Sequence, residues 1–229
     1  MSSSSWEEAW GALDEPWRRA FLLAWEAFTE GSIAVGAVVL DPGGRVVAEG
    51  RNRAAGTEAV AGQVVGATNA HAEVNALALV PRGASGTILL STLEPCFLCT
   101  AAARHAHVVA VRYAVADPVW EGVERMGELN AAYARHPAVR EEVDLGPLST
   151  WSGGLALLSV VRWIASRTGR TPVEELAVGH VATDVRVAQP HVAGLADELL
   201  ADGLEPGTDL SLEGALARWW PAGDGGRPG

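Results

Sequence analysis

The chain has 229 residues, and 48% of them are apolar, which is enough to bury a sizeable core and excludes wholesale disorder. Seventeen basic residues against 28 acidic ones give a formal net charge of −11, which disfavours broad attraction to nucleic acid or to an anionic membrane. No apolar run approaches the roughly 20 residues that span a bilayer, and Met1 to Glu8 lacks the basic and apolar stretches of a signal peptide, so a cytoplasmic protein is expected.

In chain order, Ser5 with Glu8 three residues on predicts a capping box, and Trp6 and Trp10 share one face of the short helix behind it. A longer helix follows, with Asp14 as its N-cap and Pro16 in its first turn. Trp17, Phe21, Trp25 and Phe28 fall at spacings of four, four and three, a single stripe. Four tryptophans close together suggest a stacking surface for bases, but core packing of an amphipathic helix is the weightier explanation. Ile33 to Leu40 predicts a buried strand, Asp41-Pro42-Gly43-Gly44 a turn, and Arg45 to Arg51 a second strand. Residues 54–70 are small and Gly-rich, a loop whose length points to function. A helix over Ala72 to Val80, a strand over Thr87 to Leu93, a helix over Cys96 to His105 and a strand over His107 to Val115 come next. Strand, helix, strand makes a βαβ unit, so these last two strands are expected to be parallel. Residues 121–136 look helical, and the pattern gives no assignment from there to Leu148. From Ser149 the texture turns helical, with segments over 153–166, 172–180, 191–202 and 210–220. Residues 223–229 are expected to be disordered.

Two cysteines, Cys96 and Cys99, cannot build a secreted disulfide scaffold. In a cytosolic chain such a pair is half of a metal site or a redox pair. His71-Ala72-Glu73 stands at the start of one predicted helix and Pro95-Cys96-Phe97-Leu98-Cys99 at the start of another. Three residues apart on a helix, both sulfurs face the same way, and the helix N-terminus favours the thiolate that a metal needs. With His71 as a third ligand, a tetrahedral Zn2+ keeps its fourth position open for water, whose pKa it lowers to roughly 7. Glu73, two residues beyond His71, can reach that water and take its proton if the metal sits off the helix end. A redox pair would leave the His-x-Glu segment without a role.

The segments Gly50-Arg51-Asn52-Arg53, Asn69 to Glu73, Thr92 to Cys99 and Tyr113 to Asp117 resemble the cytidine deaminase-like superfamily. Having His as first ligand is similar to its purine-type branch, the guanine, guanosine and tRNA adenosine deaminases. The resemblance runs from about Asp14 to His136 and implies an α/β fold, a three-layer α/β/α sandwich around a mixed five-stranded sheet, assembled as a homodimer. It also implies that Asn52 holds the base or sugar and that the backbone of Ala70, Glu94, Pro95 and Cys96 lines the pocket. Asp117 and Trp120 stand where guanine deaminase-like members contact substrate, Asp117 on an amidine-like ring edge and Trp120 stacked on a base. Asp-Pro is equally an ordinary turn start.

The expected organisation is a zinc-dependent deaminase domain over 1–148, a helical C-terminal extension over 149–222 and a tail over 223–229. The expected reaction is hydrolytic deamination of a nucleobase or nucleoside, guanine or guanosine ahead of adenosine and cytidine types. The alternatives are a tRNA adenosine deaminase and an inactive deaminase-fold module that binds a protein. Arg51 and Arg53 flank Asn52 and suit one phosphate of a nucleotide, but they are too few to hold an anticodon loop.

Overall fold

Every residue of strand β1 (Gly36–Leu40) is buried, because layers of helix cover both faces of the sheet it centres. The protein is represented by a computed structural model that describes residues 5–221. The sheet has five strands in the order β2 (Val46–Arg51), β1, β3 (Ile88–Ser91), β4 (Ala110–Tyr113), β5 (Val139–Glu142). β1 is antiparallel to both of its neighbours, whereas β3, β4 and β5 are parallel. This is the mixed sheet that the resemblance implied.

Alternation along the strands sorts the two faces. Val38, Leu40 and Leu90 point to one core with Trp17, Phe21, Trp25 and Phe28 of α2 (Glu15–Thr29). Ala37, Val39, Leu89 and Val111 point to the other, with Ala72, Ala76 and Leu77 of α3 (Ala72–Ala78) and Ala103 of α4 (Phe97–His105). The tryptophan stripe is therefore core. Ser5 and Glu8 form the expected capping box of α1 (Trp6–Ala12), and Asp14 accepts from the Trp17 N–H as N-cap of α2. Gly50 sets the depth of α3: a Cβ there would meet the Ala76 nitrogen at 2.4 Å and the Ala72 oxygen at 2.5 Å.

Residues 121–136 do not form one helix. Gly122 adopts φ +94° and Asn130 is extended, so the segment breaks into a 3-10 turn and two single-turn helices, α5 (Met126–Leu129) and α6 (Ala131–Ala134). The unassigned stretch behind it supplies β5, a strand with little apolar character because it lies at the sheet edge.

The tail is helical throughout: α7 (Pro147–Thr168), α8 (Pro172–Val178), α9 (His180–Ala188), α10 (Pro190–Ala201) and α11 (Leu212–Trp219). α7 begins before the expected 153, and α9 has no counterpart in the sequence pattern. These helices share one hydrophobic cluster with α2 and the sheet face beneath it. Buried serines stitch α7 to strand ends: the Ser152 hydroxyl donates to Thr92 C=O at 2.6 Å, and Ser159 Oγ accepts from the Ala34 N–H at 2.9 Å. Gly153 and Gly154 let α10 approach, since a Cβ at either would lie within 3 Å of Val192 or Leu195. No helix among the described residues is long and apolar enough to cross a membrane. The disorder expected of 223–229 lies outside the described residues.

Candidate metal centre and substrate cavity

α3 and α4 start side by side, each directly after a chemically equipped cap. His71 is the N-cap residue of α3 and Cys96 that of α4, both with extended backbone, and Cys99 sits on the first turn of α4. His71 Nδ1 lies 3.3 Å from Cys99 Sγ and 3.6 Å from Cys96 Sγ, and the two sulfurs are 3.6 Å apart. Tetrahedral zinc, with bonds of about 2.0–2.3 Å, requires donor edges of about 3.3–3.8 Å. The triangle fits. These three residues are the one group among the described residues that could hold a metal ion.

Glu73 completes the cluster from the first turn of α3. It is 4% exposed; its Oε1 accepts from the Ser91 hydroxyl at 3.2 Å, and its Oε2 lies 3.3 Å from Cys99 Sγ. Desolvation pushes its carboxyl above the ordinary range, opposed by His71. Cys96, bonded by the Cys99 thiol and by His71, is pulled down to about 4. Cys99, buried beside Cys96 and Glu73, is pushed up. His71 is raised by its bond with Cys96, against the cost of burial. The pair therefore carries one ready thiolate and one thiol whose proton a metal would displace.

The cavity beside this cluster measures about 390 Å³. Asn52, Glu94, Asp117 and Trp120 line it, as the resemblance implied. Asn52 is buried and its Oδ1 accepts from the Ala54 N–H, which leaves its amide NH2 as the group to offer a ligand. Asp117 is pushed up to about 6, chiefly by desolvation, and Glu94, Cys96 and Glu73 add repulsion. It also caps the 3-10 turn Pro118–Trp120, so turn and ligand-facing roles coexist in it. Trp120 is 40% exposed and packs edge-on against Phe97.

Ala70 and Pro95 are not among the lining residues. Ala70 is fully buried, its C=O accepting from the Arg53 N–H, and the Pro95 C=O accepts from the Thr100 hydroxyl. Arg51 and Arg53 do not line the cavity either. Arg51 is paired with Glu26 and Glu30, and Arg53 donates to Gln63, so the phosphate role expected of them lapses.

Three contributors went unnoticed in the sequence. Ser91, which holds Glu73, is a small polar residue ending an apolar strand. Asn75 is fully buried on α3; it accepts from the Val64 N–H and donates to the Arg51 and Val64 carbonyls, tying the 54–70 loop to β2. Arg140 on β5 reaches Glu94 at 2.7 Å and the Thr100 hydroxyl at 2.9 Å, clamping the turn that carries Cys96. Ser91 and Asn75 were legible as polar breaks in apolar runs; Arg140 gave no signal.

The fold and this donor set define a zinc-binding deaminase-type domain. Residues 13–115 match the family model described as the cytidine and deoxycytidylate deaminase zinc-binding region, and the fold is that of the cytidine deaminase-like proteins. It is 39% identical over 125 residues to riboflavin biosynthesis protein RibD of Mycobacterium tuberculosis, covering 51% of this chain and 33% of that one. It is 35% identical over 133 residues to a tRNA(Ile)-lysidine synthase of Deinococcus deserti, covering 56% of this chain and 24% of that one. The chain thus spans about a third or less of these relatives' lengths. A structure from a study of A-to-I editing by tRNA:A34 deaminases at the wobble position of transfer RNA superposes with a TM-score of 0.51. It is 24% identical and covers 61% of this chain and 97% of that one, a likeness of fold.

Proposed function

We propose that the chain is a zinc-dependent hydrolytic deaminase acting on the exocyclic amine of a free nucleobase-like or nucleoside-like heterocycle. The carrying observation is the buried Glu73 carboxylate, 3.3 Å from Cys99 Sγ, beside a donor triangle of tetrahedral dimensions and open to one cavity. A closed structural zinc site has no use for a carboxylate in that place.

His71 Nδ1, Cys96 Sγ and Cys99 Sγ would hold zinc, which when bound supplies an activated water. Glu73 would accept that water's proton and deliver it to a ring nitrogen as the water oxygen adds to the carbon bearing the amine. It would then move the added hydroxyl's proton to the amine, so the C–N bond breaks, ammonia departs and a carbonyl remains. Ser91 fixes the rotamer of Glu73 for these transfers. Burial raises the carboxyl's affinity for the proton it must take. Asn52 and Asp117 orient the ring by its polar edge, and Trp120 packs against its face.

A guanine-type ring remains ahead among substrates, since Asp117 suits an edge presenting two N–H groups. RNA is disfavoured: the net charge is −11 and the arginines nearest Asn52 are already paired. Exposed Phe97 and Leu98 on α4, with exposed Leu129 lining the same surface depression as Phe97, support a homodimer. Zinc-loaded protein should release ammonia in a screen of bases, nucleosides and nucleotides, and Cys99→Ala should lose zinc by metal analysis. Full zinc occupancy in Cys99→Ala, or no ammonia from any member of the screen, would overturn the reading.

A further inference from the structure

The cavity has two chemically distinct ends. Asn52, Glu73, Glu94 and Asp117 bring polar groups from strand ends and from α3. The helical tail brings Leu157, Val160, Trp163 and Ile164 from α7, and Val181 and Val185 from α9. On α7 these follow Gly153 and Ala156 at helical spacing, so one continuous stripe faces the cavity. Leu155, Leu158 and Val161 of the same helix are buried in the core, whereas Val160, Trp163 and Ile164 are only half-buried. The stripe thus keeps apolar surface uncovered by protein at the place where a substrate would lie.

Arginine is missing from the same wall, whose polar groups on the tail side besides Trp163 are His180 and Gln189. All 17 basic residues are arginines, and none lines the cavity among the described residues. Those near it are engaged: Arg51 with Glu26 and Glu30, Arg140 with Glu94, and Arg162 with Glu205 and the Leu204 C=O. Glu73, Glu94 and Asp117 make the polar end acidic, which repels a phosphate. A ribose fares little better. Its hydroxyls would be desolvated mostly against leucine, valine and isoleucine. The tail's polar groups there are His180, which is exposed, Gln189, whose amide NH2 already donates to the Ala116 C=O, and the Trp163 indole N–H, which is buried without a hydrogen-bond partner among the described residues.

We infer that the substrate is an uncharged amino-heterocycle bearing a hydrocarbon-rich substituent, which the α7 and α9 stripe receives in place of a ribose or ribose phosphate. The inference rests on the deaminase reading for which end of the molecule meets Glu73, and it narrows the substrate class of that site. The tail is then the specificity-determining part of the protein.

The test uses guanine, adenine and cytosine, each as the free base, as a methyl-to-butyl series on the nitrogen that carries ribose in nucleosides, as the nucleoside and as the 5′-monophosphate. Calorimetry on zinc-loaded full-length Glu73→Ala should show dissociation constants falling about two- to fourfold per methylene for the base that fits. The nucleoside and monophosphate should bind at least tenfold more weakly than the butyl compound. Ratios of kcat/KM for ammonia release by the parent protein give the same order without any variant. Val160→Ser should shrink the butyl-over-methyl advantage, and Val160→Ile should restore it. A nucleoside or monophosphate preferred to the butyl compound overturns the inference, whatever the turnover. Alkyl-graded binding with no ammonia released by the parent protein instead overturns the deaminase reading and leaves the apolar subsite standing.

Discussion

The first 115 residues and the tail from Pro147 carry unequal kinds of information about one cavity. The first region supplies the donor triangle and Glu73, and its chemistry demands particular residue types at particular spacings on two helix starts. The second supplies a wall of leucine, valine and isoleucine that any buried helix might display. If the proposed function holds, reaction and the specificity inferred for α7 and α9 would lie largely apart along the chain. A change in the first region should abolish an activity, whereas one in the second should redirect it.

The bluntest way to break this comparison is to remove the second region. Truncation after residue 146 should not leave a working deaminase domain, because Trp17, Phe28, Val38 and Leu90 would lose the helices that cover them. Soluble expression and metal content would decide, and a soluble, zinc-loaded, active fragment would show the tail to be an appendage. Next in size is Glu73→Ala, which should retain zinc while kcat falls by about 10²–10⁴, the usual worth of a general acid–base group. Residual activity of a tenth of the parent would contradict the assignment.

Asp117→Asn should act more gently, lowering kcat/KM by about tenfold as one oriented charged hydrogen bond is weakened. Its pH dependence follows from the raised pKa near 6. The carboxylate accepts N–H groups only above that value, so activity falls as pH drops, with zinc's charge pulling the midpoint lower. Glu73 must also be ionised to take a proton. The part of the acid limb of kcat/KM that Asp117 supplies, at or below pH about 6 in the parent, should therefore be lost in Asp117→Asn. An unchanged limb would remove Asp117 from the site. The smallest effect concerns the seam between the two regions. Ser159→Ala strands the Ala34 N–H in a buried place, which costs about 1–3 kcal/mol in chemical denaturation.

The sequence disclosed the metal cluster because zinc ligation and helix N-termini constrain residue type and spacing together. It disclosed β1, β3 and β4 because strands inside the sheet carry dense apolar runs, and β2, an edge strand, because the Asp41–Gly44 turn returns the chain beside β1. β5 stayed hidden, since Val139-Arg140-Glu141-Glu142 at a sheet edge has no apolar pattern to show. The helix over 121–136 was wrong because Gly122 and Asn130, both compatible with a helical window, are where the backbone breaks. The tail's role in the cavity was illegible for a different reason. Helical periodicity tells which residues turn inward, but on α7 the inward side divides between a packed core and an open space. Only the placement of α9 and α10 decides which residue meets which.

Arg140 joins the edge strand to the metal centre through Glu94 and Pro95 on the turn before Cys96 and through Thr100 on the first turn of α4, beside Cys99. Edge strands are where a sheet frays first. Each opening of β5 would release the clamp and loosen two of the three donors, so zinc escape to a chelator becomes a clock for local unfolding some 40 residues away in the chain from the cysteines. The metal would report on the sheet's margin as well as on the reaction it supports.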